Sequence, residues 1–240
     1  FKILNSGLLK SIKFNNYTSK YNLVIICTGK NPNIIKNFIN DKSFDYSYNE
    51  VSATIILKHN AFKNNVARQI FLDDEILALL PISNTKTSIV WSIKKSKMKE
   101  YLNKNLIQKK IKLYTKNYLK NVKFVGKMEQ KDLNFFIREK YFYSRILLFG
   151  DALHVVHPLV GQGFNMVLRD LSVLEKMFKN KLKLGLDIGS SDILSEFSSE
   201  VKSRNFVFSL GVDFVKKFFS IKERPFKSLR NKLVTSINKN

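Results

Sequence analysis

The residues best suited to chemistry lie close together, between Leu147 and Asp170. They are Gly150-Asp151, then His154 and His157, then Pro158, then Gly161-Gln162-Gly163-Phe164-Asn165, and finally Arg169-Asp170. Asp151 offers a carboxylate that can accept hydrogen bonds from sugar-like hydroxyls. Gly150, with no side chain, lets a ligand approach the backbone. Pro158 stiffens the segment, while Gly161 and Gly163 open it so that N–H groups can point outward at the start of a helix. The helix dipole favours negative charge there. The pattern suits a polyhydroxylated ligand with an anionic end. Asp151, His154 and His157 at i, i+3 and i+6 also raise the question of a metal. Metal ligands need a convergent third or fourth partner, and His59 is the only other histidine. No metal is expected, and the two histidines are read as structuring the loop or touching a ligand. The pattern assigns no catalytic acid, base or nucleophile.

The elements that must position this stretch follow from apolar patterning. Arg145 to Phe149 reads as a buried strand, Gly150 to Asn165 as a loop, and Phe164 to Lys179 as a helix. Near the start, Lys10–Phe14 and Leu23–Cys27 read as strands joined by the polar turn Asn15–Ser19. The second of these is continuously apolar, as for a strand buried on both faces, which makes Cys27 an inert buried thiol. It runs into Thr28-Gly29-Lys30-Asn31-Pro32, a turn at the carboxyl end of a strand, where open α/β sheets bind ligands. Val51–Lys58, Val66–Leu72, Ile76–Pro81 and Thr87–Ile93 predict an antiparallel sheet. Helices follow over Lys97–Tyr118, then strands at Val122–Gly126 and Phe135–Phe142. Ile193–Phe219 predicts a helix whose Val207, Leu210, Phe214 and Phe218 stripe reads as core, or else as a membrane-docking face beside Lys216, Lys217, Lys222 and Lys227. Pro225 precedes a last short helix. Gln69 and Phe71 share one sheet face by alternation, and Trp91 is read as strand packing or substrate contact.

Composition bounds the possibilities. With 44% apolar residues in 240, the chain can bury a core. One cysteine excludes an intramolecular disulfide framework. No stretch approaches the roughly 20 apolar residues that span a bilayer. The formal charge is +23, from 42 Lys+Arg against 19 Asp+Glu, yet only seven of the basic residues are Arg. Nucleic-acid readers lean on Arg and no nucleic-acid module occurs, so no nucleic-acid partner is expected. The dense run from Lys94 to Lys123 reads as a solvated helix face, with an anionic membrane surface as the next alternative.

Gly150-Asp151-Ala152-Leu153-His154-Val155-Val156-His157-Pro158-Leu159-Val160-Gly161-Gln162-Gly163-Phe164-Asn165, closed by Leu168-Arg169-Asp170, resembles the second FAD-binding motif of the group A flavoprotein aromatic hydroxylases. The wording is similar to their ubiquinone-biosynthesis branch. Ala67-x-Gln69-x-Phe71, Leu77–Pro81 and Ser88–Ser92 resemble that branch's substrate-domain strands, and Arg204-Asn205 through Arg230-Asn231 its C-terminal helices. The resemblance implies the para-hydroxybenzoate hydroxylase fold, a mixed α/β architecture. It would have a partial Rossmann-like FAD-binding domain (1–48 and 143–192), an inserted antiparallel substrate-domain sheet (49–142) and a C-terminal helical region (193–240). It also implies an N-terminal βαβ unit with a GxGxxG fingerprint, which this chain does not contain. The implied function is NAD(P)H- and O2-dependent hydroxylation of the aromatic ring of a polyprenylated phenol in ubiquinone biosynthesis. The alternatives are a flavin oxidoreductase or epoxidase on another apolar substrate, and a non-catalytic scaffold that no longer binds FAD.

By the same resemblance, Gly29, Gly150, Asp151, His154, Pro158, Gly161, Gln162, Gly163, Phe164 and Asn165 contact the flavin. Asp151 would hold the ribityl or pyrophosphate region, with the N–H groups of Gly163, Phe164 and Asn165 near the N1/O2 edge. Gln69, Phe71 and Trp91 face the substrate. Thr28 stands where the family has an Asp. The implied setting is cytoplasmic, with peripheral contact to the inner face of a membrane and with other ubiquinone-biosynthesis proteins.

Overall fold

The computed structural model describes residues 2–30, 32–36, 42–72, 75–98 and 104–221. It divides into two compact units, Phe1–Tyr46 with Phe135–Asp213, and Ser47–Asn134 with Phe214–Asn240. The last-helix reading around Pro225, and Lys222, Lys227 and Arg230-Asn231, lie outside the described residues.

The first unit opens with an antiparallel meander of β1 (Lys2–Ser6), β2 (Leu9–Phe14) and β3 (Tyr17–Tyr21). The turn expected over Asn15–Ser19 is therefore only Asn15-Asn16, with Asn15 at φ 43°, and Tyr17-Thr18 start a strand. Asn tolerates the left-handed conformation that a two-residue hairpin needs. The next strand, β4 (Val24–Ile26), pairs in parallel with β11 (Ile146–Leu148), and β11 pairs antiparallel with β10 (Phe142–Tyr143). Among the described residues β4 is an edge strand. Val24 and Ile26 are buried, but Ile25 is 42% exposed and Cys27 is exposed as well. The expectation of burial on both faces, and of a buried thiol, is corrected accordingly. Continuous apolarity does not distinguish a central strand from an edge strand.

The core of this unit gathers Val24, Ile26, Leu147, Phe149 and Leu153 with Leu174 and Met177 of α4 (Gln162–Lys183). Leu194, Phe197 and Val201 of α5 (Ser191–Ser220) complete it. Where α5 begins, Arg145 makes a two-pronged ion pair with Asp187, at 2.6 and 3.0 Å, and donates to the Asn22 carbonyl. The guanidinium holds the Asp187 carboxyl below its ordinary range.

The second unit is a sheet covered by short helices. Its strands run in the order β5 (Ser43–Lys58, entering from the first unit), β8 (Lys86–Lys94), β7 (Glu75–Ser83) and β6 (Arg68–Phe71), all antiparallel. Alternation places Ala53, Ile55 and Leu57, Leu77 and Leu79, and Ile89, Trp91 and Ile93 on one face. Met98 of α2 (Lys95–Met98) and Ile107 and Ile111 of α3 (Lys104–Thr115) cover that face. The two strands expected at Val122–Gly126 and Phe135–Phe142 are corrected to one, β9 (Lys123–Arg138). Its middle, Lys127 to Asp132, is mostly exposed and polar, so no apolar alternation signals it. No helix among the described residues is long and apolar enough to cross a membrane.

Helix α5 inverts the expectation made for it. Val207 and Phe214 are each 68% exposed, and Phe206 and Leu210 also face out. The buried face steps through Leu194, Phe197, Val201, Asn205, Ser209, Val212 and Lys216, and its second half is largely polar. Those polar groups have partners: Asn205 with Asp170, Ser209 with the Met166 sulfur, Lys216 with Glu50 at 3.0 Å, and the neighbouring Asp213 with the Tyr46 hydroxyl. The reading of the Val207–Phe218 stripe as core is thus corrected. Replacing both Val207 and Phe214 by serine is expected to change the unfolding free energy by less than about 1 kcal/mol. A loss of several kcal/mol in urea titration would return the stripe to the core.

Candidate functional site

The parallel pairing of β4 with β11 sets the geometry. Val24 lies opposite Ile146 and Ile26 opposite Leu148, and the Phe149 N–H donates to the Ile26 carbonyl at 3.0 Å. Both strands therefore end at one edge, where Gly29 follows β4 and Gly150-Asp151 follow β11. Chain segments far apart in sequence meet at this edge. The Gly29 turn is tied down by Lys30, which pairs with Asp45 at 3.2 Å and stands over the Phe136 ring.

Gly150 has φ +64°, and a Cβ there would meet the Val167 methyls of α4 at 3.8 Å. The position requires glycine for its backbone conformation, and the close approach is to the helix. Asp151, on the short 3-10 turn Gly150–Ala152, is exposed. The chain next forms β12 (His154–Val155), antiparallel to β9 with His154 opposite Ile137. Arg138 of β9 reaches back over the turn, its N–H donating to the Leu153 carbonyl and its Nε to the Ala152 carbonyl, both at 2.9 Å.

His154 turns inward. Its Nε2 lies 3.0 Å from Asp170 Oδ2, and since a carboxylate only accepts, the imidazole donates. Asn205 Nδ2 donates to the same oxygen at 2.7 Å, and Arg169 Nη2 donates to Asn205 Oδ1 at 3.3 Å. Asp170 is 1% exposed. Tyr141, also buried, stands beside this cluster. Burial pushes its hydroxyl up to about 12, the neighbouring Asn205 amide opposes that shift, and the Asp170 charge adds to it. His157 is buried too.

Beyond His157, Pro158 precedes the 3-10 turn Leu159–Gly161, and Gly161 enters α4 at φ +65° with nothing within 4 Å of a Cβ placed on it. No side chain caps the start of α4, and no acidic residue occupies its first turn. The Gln162 N–H is taken by the Leu159 carbonyl. By helical geometry the N–H groups of Gly163 and Phe164 precede the first i→i−4 bond, which falls to Asn165. Phe164 and Asn165 are exposed, and Gln162 and Gly163 half-buried. The loop thus offers uncapped N–H groups, open space at a left-handed glycine and an exposed carboxylate. These features fit an elongated ligand with hydroxyls and an anionic edge, as a flavin dinucleotide has.

The substrate candidates separate. Trp91 pairs with Leu77 on the helix-covered face of the second unit, is fully buried, and meets Tyr114 edge-on. Gln69 and Phe71 lie opposite Ala78 and Ile76, on the other face, both half-buried. Among the described residues no group of three or more His, Cys, Asp or Glu could hold a metal ion. The sequence assigned no site role to Arg138, Tyr141 or Asn205, although the Arg204-Asn205 pair resembles the family's C-terminal helices. For Asn205 a signal existed: it continues the Leu194, Phe197, Val201 periodicity, and a polar residue on an apolar helix stripe calls for a buried partner.

Two measurements follow. Asp170→Ala leaves His154 and Asn205 buried without their acceptor, and is expected to cost about 2–4 kcal/mol in urea unfolding. Tyr141 is neutral in both folded and unfolded chains well below pH 10. From about pH 10, where the unfolded chain ionises, up to about 12, where the folded one does, its proton favours the native state less and less. Stability falls across that window by up to about 2–3 kcal/mol. Tyr141→Phe is expected to remove that share of the alkaline decline, read by unfolding at stepped pH.

Known proteins resemble this chain in sequence and in fold. The chain is similar to the ubiquinone biosynthesis monooxygenase COQ6, mitochondrial, of Xenopus tropicalis, 28% identical over 245 residues, covering 87% of this chain and 52% of that protein. It is also similar to the ubiquinone hydroxylase UbiL of Rhodospirillum rubrum, 27% identical over 175 residues, covering 72% of this chain and 41% of that one. The chain spans about half the length of the curated relatives it matches. Among solved structures, HpxO of Klebsiella pneumoniae, complexed with FAD and uric acid, superposes with a TM-score of 0.70. It has 12% identity and covers 96% of this chain and 60% of that one. The fold is that of the flavin-dependent monooxygenases, and the resemblance carried by Gly150–Asp170 agrees with these relatives. Residues 20–238 match the family model described as squalene epoxidase, and the chain belongs to that family.

Proposed function

We propose that the protein carrying this chain is an FAD-dependent monooxygenase that hydroxylates the aromatic ring of a polyprenylated phenol in ubiquinone biosynthesis, using NAD(P)H and O2. One observation carries the reading. Two parallel strands deliver Gly29 and Gly150-Asp151 to a single edge, beside a helix that starts uncapped at a left-handed glycine. Asp151 would accept hydrogen bonds from the ribityl or pyrophosphate region. Gly163 and Phe164, with Asn165 one step further, would present the backbone N–H end of α4 to the N1/O2 edge, while Pro158, Gly161 and Gln162 hold the bend that aims it. His154 acts from behind, holding the loop onto α4 through Asp170. The flavin, when bound, supplies the redox and oxygen chemistry; the chain's residues orient it and place partial positive charge against its anionic edge.

The names of the relatives support the ubiquinone route, and two apolar surfaces support a greasy substrate. A groove of about 580 Å³ in the first unit is lined by Phe44, Ile137 and Phe206, with Arg138, Ser203 and Lys202 among its polar neighbours. Ile137 pairs directly with His154, so this groove adjoins the strand that carries the loop. On α5 the outward stripe of Val207, Leu210 and Phe214, with Lys217 nearby, suits peripheral attachment to an anionic membrane in which such a substrate dissolves.

The test begins with flavin content. The intact protein is expected to purify yellow. Asp151→Ala and Gly161→Val are expected to retain about tenfold less flavin per protein, since each removes one of the site's few specific features. NAD(P)H oxidation is expected to rise with a polyprenyl phenol and yield a product one oxygen heavier. Vesicle co-sedimentation should weaken when Val207, Leu210 and Phe214 are all changed to serine. A well-folded, colourless intact protein overturns the reading.

A further inference from the structure

Far along the chain from the flavin loop, the second unit holds a concavity of about 1050 Å³. Lys58 at the end of β5 and His59 just after it line it, together with Lys112 of α3, Lys116 and Lys120 of the segment that follows, and Lys123 at the start of β9. From Tyr101 to Met128 the sequence carries eight lysines and no Asp or Glu. Lys112 lies in the last turn of α3, and Lys116 and Lys120 follow it in the turn and bend after the helix, so that like charges gather at one end of the helix and repel one another.

The end of α3 tolerates cations because the negative end of the helix dipole lies there. That accounts for Lys112 and Lys116, and not for Lys58, Lys120 and Lys123 on the same walls. Some lysines elsewhere find carboxylates, among them Lys95 with Asp132, Lys179 with Glu175, Lys181 with Glu196 and Lys216 with Glu50, although 19 Asp+Glu cannot serve all 42 Lys+Arg. What sets the concavity apart is that five lysines share one hollow. None of the five lysines of the concavity makes an ion pair among the described residues, and no carboxylate is among its lining residues. Uncompensated local repulsion of this kind marks functional surface.

The backbone beneath these side chains is held in place. The Asn60 N–H donates to the Lys120 carbonyl at 3.0 Å, joining the two walls, and Asn121 Nδ2 donates to Asn60 Oδ1 at 3.3 Å. The His59 ring is fixed between the Asn60 carbonyl and Thr87 Oγ1, 2.9 Å from each. The lysines therefore extend from a preset rim around a hollow. A hollow suits a compact polyanion better than a plane of lipid does. Ammonium groups without any Arg select charge density rather than the planar fork geometry of carboxylates or bases.

We propose that this concavity is a binding site for clustered phosphate groups, separate from the flavin site. The probe is inorganic tripolyphosphate, titrated calorimetrically into the intact protein. Saturable binding that weakens as salt rises is expected. Lys112→Gln/Lys116→Gln/Lys120→Gln should weaken it about tenfold, while the corresponding three Lys→Arg changes should keep most of it. Lys2→Gln/Lys13→Gln/Lys20→Gln removes the same charge from the first unit's meander and should leave binding unchanged. Circular dichroism of each variant checks that the fold is kept. Vesicles of phosphatidylcholine with phosphatidylglycerol form a second arm. Sedimentation lost with the site triple and kept with the control triple identifies a lipid headgroup as the source of the phosphates, and its absence beside tight tripolyphosphate binding identifies a soluble one. The proposal is overturned if tripolyphosphate does not bind saturably, or if the control triple weakens it as much as the site triple does.

Discussion

A single buried oxygen, Oδ2 of Asp170, accepts hydrogen bonds from His154 and from Asn205. Through it the two-residue strand after the Gly150 turn is fastened to the helix that follows the loop, and that helix to α5. A carboxylate this deeply buried is costly unless its donors are in place, so the cluster forms as a unit or not at all. Everything on the exposed side of the loop depends on this inner fastening. Arg138 adds a second tie through the Ala152 and Leu153 carbonyls, leaving the segment from Pro158 to Asn165 as a bend between two held points. Preorganisation of this kind lets uncapped N–H groups face outward without collapsing onto the protein's own acceptors.

The two units solve the burial problem differently, and the difference matters for chemistry. In the first, a short parallel pair brings residues 29 and 150 to one edge, and glycines with left-handed backbone keep that edge free of side chains. In the second, an antiparallel sheet uses strict alternation. One face, centred on Trp91, is sealed by α2 and α3, and the other, with Gln69, Phe71 and Ala78, stays half-buried. A residue's worth as a contact for a ligand then turns on its parity along the strand, because a shift of one position exchanges a sealed face for an open one.

The charge of +23 is likewise not spread evenly in its consequences. Some lysines meet carboxylates and others lie along exposed strands. Those around the concavity that His59 helps to line share one hollow, with no acid among its lining residues. Helix α5 shows the complementary case: polar residues enter its buried face because each has a partner there, and apolar residues are left outside.

The sequence by itself determined which segment is the candidate site, since Gly, Asp, His and Pro at those spacings single out Gly150–Asp170 whatever surrounds it. It also determined the alternating strands of the second unit, where period-two apolarity is strong, and the extents of α4 and α5 to within a few residues. Only the tertiary structure decided which face of α5 is inside, because the choice rests on Asp170, Tyr46 and Glu50, residues 35 to 167 positions away whose bonds outweigh local hydrophobicity. It alone decided that the Leu23–Cys27 run is an edge among the described residues, that Lys123–Arg138 is one strand, and that β4 and β11 end at the same edge. Periodicity reports what a segment can bury; which partner does the burying is a property of the folded chain.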